Sequence, residues 1–282
     1  MIVFVADYFK DQIVGGAEKN DDNLVQFFSN NALLSSKVNS SNLTVDFLKS
    51  NLDKLYVIGN FAGLPVDCKA FMSKNCNYII YEHDYKFDKK RNPIDCKDFV
   101  VPKERLTNVN FYKSAYKVVC LSKLHLDIFA KNMPWLDNLH NTTCSLFSKE
   151  NLDLLLELSK QDKESVVGVI DSANKIKKTK EAVLFCEKNK LEYRLFKDKD
   201  YKSFLQKMSK HDRLMVLSGH PEPTPRTAVE AKMLGVKILG NKKLIGVSYE
   251  DWWSLEGEEL YNFLNNHREK TCNQFLEWHN GL

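Results

Sequence analysis

The sequence predicts an α/β protein of two domains, each a parallel sheet wrapped by helices. Short apolar runs alternate with longer amphipathic segments, as where Met1–Ala6 is followed by a helical pattern up to about Asn30. The runs are continuous rather than alternating, the pattern of strands buried on both faces. After a helical segment at 151–160 the strand pattern starts again at Val166–Ile170, which marks a second domain. A chain of 282 residues with 43% hydrophobic residues is long enough for one large or two modest cores.

In chain order, Met1–Ala6 reads as a buried first strand. Gly15-Gly16-Ala17-Glu18 then opens a helix with Leu24, Phe27 and Phe28 on its apolar side. A di-glycine between a first strand and a first helix is either a flexible turn or a place where a ligand meets the backbone closely. Leu43–Phe47, Leu55–Ile58 and Tyr78–Tyr81 read as further strands, and the last runs into Glu82-His83-Asp84. Ligands gather at strand ends in open α/β sheets, so His83 is either a structural histidine or a functional one. From Tyr85 to about Asn110 the chain is polar and broken by Pro93 and Pro102, a long loop. Lys117–Leu121 is a strand, Ser122 caps a helix to about Lys131, and Thr142–Leu146 closes the first sheet. The second domain continues with a helix ending near Lys190 and strands at Tyr193–Phe196 and Leu214–Leu217. The expected division is 1–148 and 149–257, with a terminal helix at about 258–282 packing back on the first domain. Trp252 and Trp253 serve as packing anchors rather than sugar platforms.

No apolar run approaches the 18 or so residues of a membrane span, and Met1–Ala6 lacks a basic leader, so the chain reads as cytoplasmic. Seven scattered cysteines, none in C-x-x-C spacing, read as reduced thiols and argue against a zinc site. The formal net charge of +4 is too mild to require a polyanionic partner. Its distribution is uneven: residues 86 to 105 hold seven basic and four acidic side chains. Lys89, Lys90 and Arg91 there are either a solvated surface or contacts for an acidic acceptor.

The stretch Ser218–Gly240, SGHPEPTPRTAVEAKMLGVKILG, carries the clearest chemistry. Pro225 suits a first helical position, Thr224 can cap just before it, and Gly235 stops the helix before a strand at Val236–Leu239. A helix N-terminus offers unpaired N–H groups and partial positive charge to a phosphate, and carboxylates beside it suit sugar hydroxyls. Glu222 and Glu230, eight positions apart, flank that terminus. Asp198-Lys199-Asp200 spells the D-x-D of metal-dependent transferases but lies in a charged run where such triplets arise by chance.

This stretch resembles the Glu-x7-Glu signature of retaining glycosyltransferases of the GT-B fold, the family-4 type. The run from Glu230-Ala231 to Gly235, the glycine loop Gly15-Gly16-Ala17-Glu18 and the placement of His83 are similar to that family too. The resemblance implies two facing Rossmann-like domains with a cleft between them. It implies that Glu222 holds the donor sugar, that Glu230 holds the nucleotide ribose, and that Thr224 and Thr227 line the donor site. Gly15 and Gly16 would meet the donor phosphate, and His83 would stand near the reacting centre. Lys175 matches a lysine that grips the diphosphate, while Val169 stands where the family has an arginine. Pro223 and Pro225 replace loop glycines, so other groups have to hold the diphosphate. Lys177 and Lys178 are nearby substitutes, and Arg226 either reaches the phosphates or faces outward.

The expected reaction moves a sugar from a nucleotide-diphosphate donor, UDP-linked by the resemblance, to a hydroxyl acceptor with retention and without a metal cofactor. Two acceptors stand open: a hydroxymethylated cytosine in bacteriophage DNA, placing the enzyme in a host cytoplasm, or a surface-polysaccharide or lipid-linked saccharide. A DNA base would have to be flipped out to react. A non-catalytic sugar-nucleotide-binding protein is the alternative of another class.

Overall fold

A computed structural model describes residues 1–282, which divide into two compact units: unit 1 is 1–146 with 267–282, and unit 2 is 147–266. Unit 1 contains β1 (Ile2–Ala6), α1 (Gly16–Asn30), β2 (Leu34–Asn39), α2 (Val45–Lys49), β3 (Leu55–Ile58) and α3 (Val66–Asn75). It continues with β4 (Asn77–Tyr81), α4 (Val109–Ser114), β5 (Lys117–Cys120), α5 (Lys123–Asn132) and β6 (Leu139–Asn141). Its six strands are ordered β2-β1-β3-β4-β5-β6 and every pair is parallel.

Because successive side chains leave a strand on opposite faces, each strand feeds two cores. Val3, Val5, Tyr56, Ile58, Tyr78, Ile80 and Val118 face one core, which α2 to α5 cover with Leu48, Met72, Phe111, Tyr112 and Phe129. Ile2, Phe4, Val57, Ile79, Tyr81 and Val119 face the other, covered by Leu24, Val25 and Phe28 of α1. The C-terminal helix completes that second layer. Its Cys272, Phe275 and Trp278 pack there, and Phe275 meets Tyr81 edge-on at 5.4 Å between ring centres.

Unit 2 contains α6 (Lys149–Leu158), β7 (Glu164–Ile170), α7 (Thr179–Lys188), β8 (Tyr193–Phe196), α8 (Tyr201–Ser209), β9 (His211–Val216), α9 (Arg226–Met233) and β10 (Lys237–Gly240). The strand order is β10-β9-β7-β8, again all parallel. Helix α10 (Gly257–Asn280) closes the chain. Ser148 and Asp200 cap α6 and α8 by accepting from Asn151 N and Ser203 N, and Gly235 ends α9 at φ +70°. In the same unit Trp252 is buried and stacks on Phe263 at 5.2 Å. No helix is long and apolar enough to cross a membrane.

Several local expectations differ from the structure. Leu43–Phe47 is not a strand. Thr44 Oγ1 accepts from Phe47 N at 3.1 Å, an N-cap that starts α2, and Leu43 and Leu48 are buried by the resulting turn. The last strand of the first sheet is Leu139–Asn141 rather than 142–146, because those three residues pair with Val118–Cys120. Helix α7 starts only at Thr179, after a short 3-10 turn at Lys175–Lys177. The edge strand β2 and helix α8 lack strong apolar runs and were not anticipated. The seven cysteines are free thiols.

Two buried histidines tie unit 1 together as neutral rings. Leu121 N donates to His125 Nδ1 at 3.2 Å while His125 Nε2 donates to Asp84 O at 2.8 Å, so the ring can take up a proton only at Nδ1 and only by losing the Leu121 bond. His267 Nε2 donates to Cys144 O at 3.1 Å. Burial pushes the two pKa values down to about 3 and about 4, against 6.5 for a free ring. The unfolded chain therefore binds protons that the folded chain refuses, so stability is full above the unfolded value and declines below it. Each histidine should cost about 1.4 kcal/mol per pH unit in that window. Urea unfolding should show a loss of roughly 3–4 kcal/mol between about pH 7 and about pH 5, and replacing both rings by Gln should flatten the profile. An unchanged slope in that double variant would mean that other groups set the acid sensitivity.

Candidate functional site

In unit 1 the site grows from the end of β4. Glu82, the residue after Tyr81, is fully buried, and its Oε1 accepts from His83 N and Asp84 N at 3.2 Å each. Lys86 Nζ binds the same oxygen, and Tyr112 OH donates to Oε2. Burial pushes the Glu82 pKa up, and the adjacent Lys86 ammonium limits the rise. Lys86 Nζ also bonds Asp84 at 2.9 Å, and Arg91 Nε reaches Asp84 Oδ2 at 3.0 Å. Partial burial opposes ionisation of Asp84, yet Lys86 and Arg91 hold its carboxyl well below the usual carboxylate range.

This network takes up most of the basic side chains after β4. Lys90 pairs with Asp95 at 2.7 Å, Arg91 with Asp84, and Arg105 Nε with Asp88 Oδ1 at 2.8 Å, while Lys86 is buried with Glu82. The segment folds into three short 3-10 turns at 93–95, 97–99 and 103–105, pinned by an antiparallel bridge between Asp88 and Leu106. Lys89 is exposed, and its backbone N–H donates to Arg105 O at 2.9 Å. Two of the anticipated acceptor contacts, Lys90 and Arg91, are thus already held by acidic neighbours. Glu82 and Asp84, just before the basic run of residues 86 to 105, supply part of its counter-charge.

His83 points back towards α1. Its Nε2 lies 2.7 Å from Asp21 Oδ1, with the two side chains 7% and 3% exposed, and its ring meets Tyr81 edge-on at 5.1 Å. Asp21 in turn rests on Gly59, where a Cβ would stand 2.3 Å from Asp21 Oδ2, so any larger residue would push Asp21 from its place. Gly15 is the N-cap of α1 with no side chain capping it, and Gly16 opens the helix. The Glu18 carboxylate folds back over Gly15, 2.2 Å from where a Cβ would be. Burial raises the pKa of Glu18. The glycine loop, Glu18, Asp21 and His83 thus form one polar cluster at strand ends.

In unit 2 the residues of the Glu-x7-Glu stretch gather around the end of β9 and the start of α9. Glu222 sits in a loop pinned by its own N–H to Leu244 O and by Gly246 N to its carbonyl, at 2.9 and 2.8 Å. Its Oε2 lies 2.8 Å from Lys177 Nζ, and Lys177, Glu222 and Thr227 line a small cavity beside Val169 and Thr179. Lys175 is exposed, two residues earlier in the same 3-10 turn. Glu230 is 3% exposed and accepts from Tyr201 OH at 2.7 Å. Burial raises the Tyr201 pKa, and the Glu230 charge adds to it.

Arg226 is buried rather than outward. Its guanidinium lies 3.9 Å from the Phe147 ring centre, with Nε 3.8 Å from Glu230 Oε1. Helix α9 begins with Pro225 as its N-cap rather than as its first helical residue. Asp198 and Asp200 have local roles: Asp198 pairs with Lys207 at 2.9 Å and Asp200 caps α8. His83, Glu222 and Glu230 are legible in the sequence, but their pairing with Asp21, Lys177 and Tyr201 is not, nor is the pairing of Glu82 with Lys86.

No known protein family matches the chain in sequence, and no curated protein does. Solved structures do match its whole length. HepE from Anabaena, in complex with UDP and glucose, aligns at TM-score 0.56 and 12% identity over 100% of this chain and 99% of that one. The catalytic domain of starch synthase IV from Arabidopsis thaliana, bound to ADP and acarbose, aligns at 0.55 and 9% identity over 99% and 98%. A glycosyltransferase from Rickettsia africae aligns at 0.54 and 12% over 98% and 88%. The chain has the GT-B fold of these proteins.

The Glu82–Lys86 pair should be the costliest to break on one side. Lys86→Met leaves a buried carboxylate without its cation and should lose about 3–5 kcal/mol in urea unfolding, whereas the double variant with Glu82→Gln should recover most of it. Equal losses in the single and double variants would show that packing, not charge, holds this loop.

Proposed function

We propose that the protein is a retaining glycosyltransferase that takes a sugar from a nucleotide-diphosphate donor, UDP-linked by preference, and passes it to a hydroxyl acceptor. The observation that carries this reading is the pairing in unit 2 of two buried carboxylates, Glu222 and Glu230, at one strand end and helix start. Each has a partner that fixes its orientation, Lys177 for the first and Tyr201 for the second. The likeness to structures that hold UDP with glucose, or ADP with acarbose, supports the donor class.

In this reading Glu230 accepts the ribose hydroxyls and Glu222 the hydroxyls of the donor sugar. Lys177 stands beside the donor diphosphate and stabilises the charge that develops as it leaves, a role for which a preorganised cation suffices without a metal. Lys175, in the exposed part of the same turn, contributes less. Arg226 acts from beneath, setting the position of Glu230. The anomeric carbon loses its bond to the diphosphate oxygen and gains one to the acceptor oxygen on the same face. The acceptor's proton goes to the departing diphosphate.

For the acceptor, a hydroxymethylated cytosine in phage DNA draws its support from the basic loop, and Lys90 and Arg91 are there committed to Asp95 and Asp84. A saccharide hydroxyl makes no such demand on charge and is the better fit. A cytoplasmic enzyme is consistent with either acceptor.

Calorimetry with UDP tests the carboxylate roles. Glu230→Ala should weaken UDP binding by about 1.5–3 kcal/mol, the worth of charge-assisted bonds to two hydroxyls, while Glu222→Ala should bind UDP normally and lose turnover. Lys177→Ala should lower turnover by roughly 10² to 10³, and Lys175→Ala by much less. Normal UDP binding by both Glu variants removes the assignment of Glu230, and a wild-type protein that binds UDP-sugars but never hydrolyses them is a binding protein.

A further inference from the structure

The sheet of unit 2 ends in a free edge that no role described above uses. Strand β8 lies outermost in the order β10-β9-β7-β8. Val167 N donates to Glu192 O at 2.9 Å and Asp171 N to Phe196 O at 2.8 Å, so residues 192, 194 and 196 turn their peptide groups towards β7. Those of Tyr193 and Leu195 therefore point away from the sheet, a row of donors and acceptors with which another strand can pair. A groove of about 450 Å³ runs beside this edge. Its lining holds Arg194, Lys197, Lys207 and Lys210 against a single carboxylate, Asp171.

The two faces of the edge differ in chemistry. Arg194 and Phe196 stand on the α8 face, where Phe196 packs on Phe204 at 5.4 Å between ring centres, and Lys207 and Lys210 border the same groove. Tyr193 and Leu195 stand on the α7 face, where Tyr193 OH donates to Glu187 Oε1 at 3.3 Å. Leu184 comes one turn before Glu187, on the same side of that helix. As the crossover between two parallel strands, α7 runs against β8, so Leu184 comes level with Leu195. The two leucines are 62% and 48% exposed. Arg194, Lys197 and Lys207 have acidic neighbours in Glu164, Asp171 and Asp198, but these pairs are solvated and an incoming carboxylate can displace them at little cost. A second copy of the chain against this edge would set cation against cation. A polynucleotide would satisfy the cations but has no peptide groups for the edge and no use for the leucines.

We infer that the β8 edge receives an extended segment of a partner protein, acidic at every second residue and apolar between. Its backbone pairs with Tyr193 and Leu195, its carboxylates enter the cationic groove, and its apolar side chains cover Leu184 and Leu195. The probe is a fluorescein-labelled peptide that alternates glutamate and valine over eight residues, titrated against the full-length protein at low salt. It should bind saturably. Of two versions, N-methylated on every glutamate or on every valine, one should bind at least about tenfold weaker and the other normally, because only one set of N–H groups faces β8. Arg194→Glu and Lys210→Glu should each weaken binding about three- to tenfold and leave the urea midpoint unchanged, since both side chains are exposed. Amide exchange followed by NMR should slow at Tyr193 and Leu195 on binding and stay as it is at Arg194 and Phe196. Equal binding by a peptide with its glutamates and valines in separate blocks, or by both N-methylated versions, would reduce the contact to charge attraction and overturn the inference. So would an oligonucleotide that protects Tyr193 and Leu195 when no peptide does, self-association that protects them, or no binding of the alternating peptide at about 1 mM.

Discussion

A single buried carboxylate organises one half of the molecule's polar architecture. Glu82 leaves the end of β4 with no exposed surface, and such a charge is tolerable only when every lone pair is met. Two backbone N–H groups, Lys86 and Tyr112 meet them. The two backbone bonds fix the turn that presents His83 and Asp84. Lys86 draws the chain back under the strand ends, and Asp84 then recruits Arg91. The long segment after β4 is consequently a wrapped structure of turns and ion pairs, and the apparent excess of positive charge is largely spent within it.

Both units place their polar residues by the same rule. A parallel sheet is buried on both faces, so its strands have to be apolar along their length and polar groups collect where strands end. In unit 1 these ends carry Asp7, Asn39, Gly59 and the Glu82-His83-Asp84 turn. In unit 2 they carry the 3-10 turn with Lys177 and the loop with Glu222. Helices start after the loops that follow β1 and β9, at Gly16 and Arg226, and add their N–H groups. The partners are as local in each case: His83 with Asp21, Glu222 with Lys177, Glu230 with Tyr201. Every proposed functional carboxylate or imidazole is oriented by a second side chain from another element of its own unit.

The sequence by itself determined the fold class and the strands of highest apolar content. Ile2–Ala6, Leu55–Ile58 and Lys117–Cys120 are runs that have no stable place except inside a sheet covered on both faces. Gly235 and the helix before it were legible for a similar reason, since a left-handed stop after an amphipathic turn is a local signal. Where local signals competed, composition misled. Leu43–Phe47 has the apolar content of a strand, but the Thr44 cap and the burial of Leu48 settle it as a helix turn. The edge strand β2 has a half-exposed pattern that no apolar run announces.

The candidate site divides along the same line. Glu222, Glu230 and His83 stood out because their spacing or position after a strand is a property of the chain itself. Their partners did not, because Asp21 is 62 residues from His83, Lys177 is 45 from Glu222 and Tyr201 is 29 from Glu230. Which of two lysines in one short turn meets Glu222 depends on the direction of each side chain, and so does the burial of Arg226 against Phe147. Charge followed suit: a count along the chain finds an excess after β4, and only folding brings Glu82 and Asp84 against it. Residue type is written in the chain, whereas a carboxylate's partner, and hence its charge and direction, is decided by which strands lie side by side.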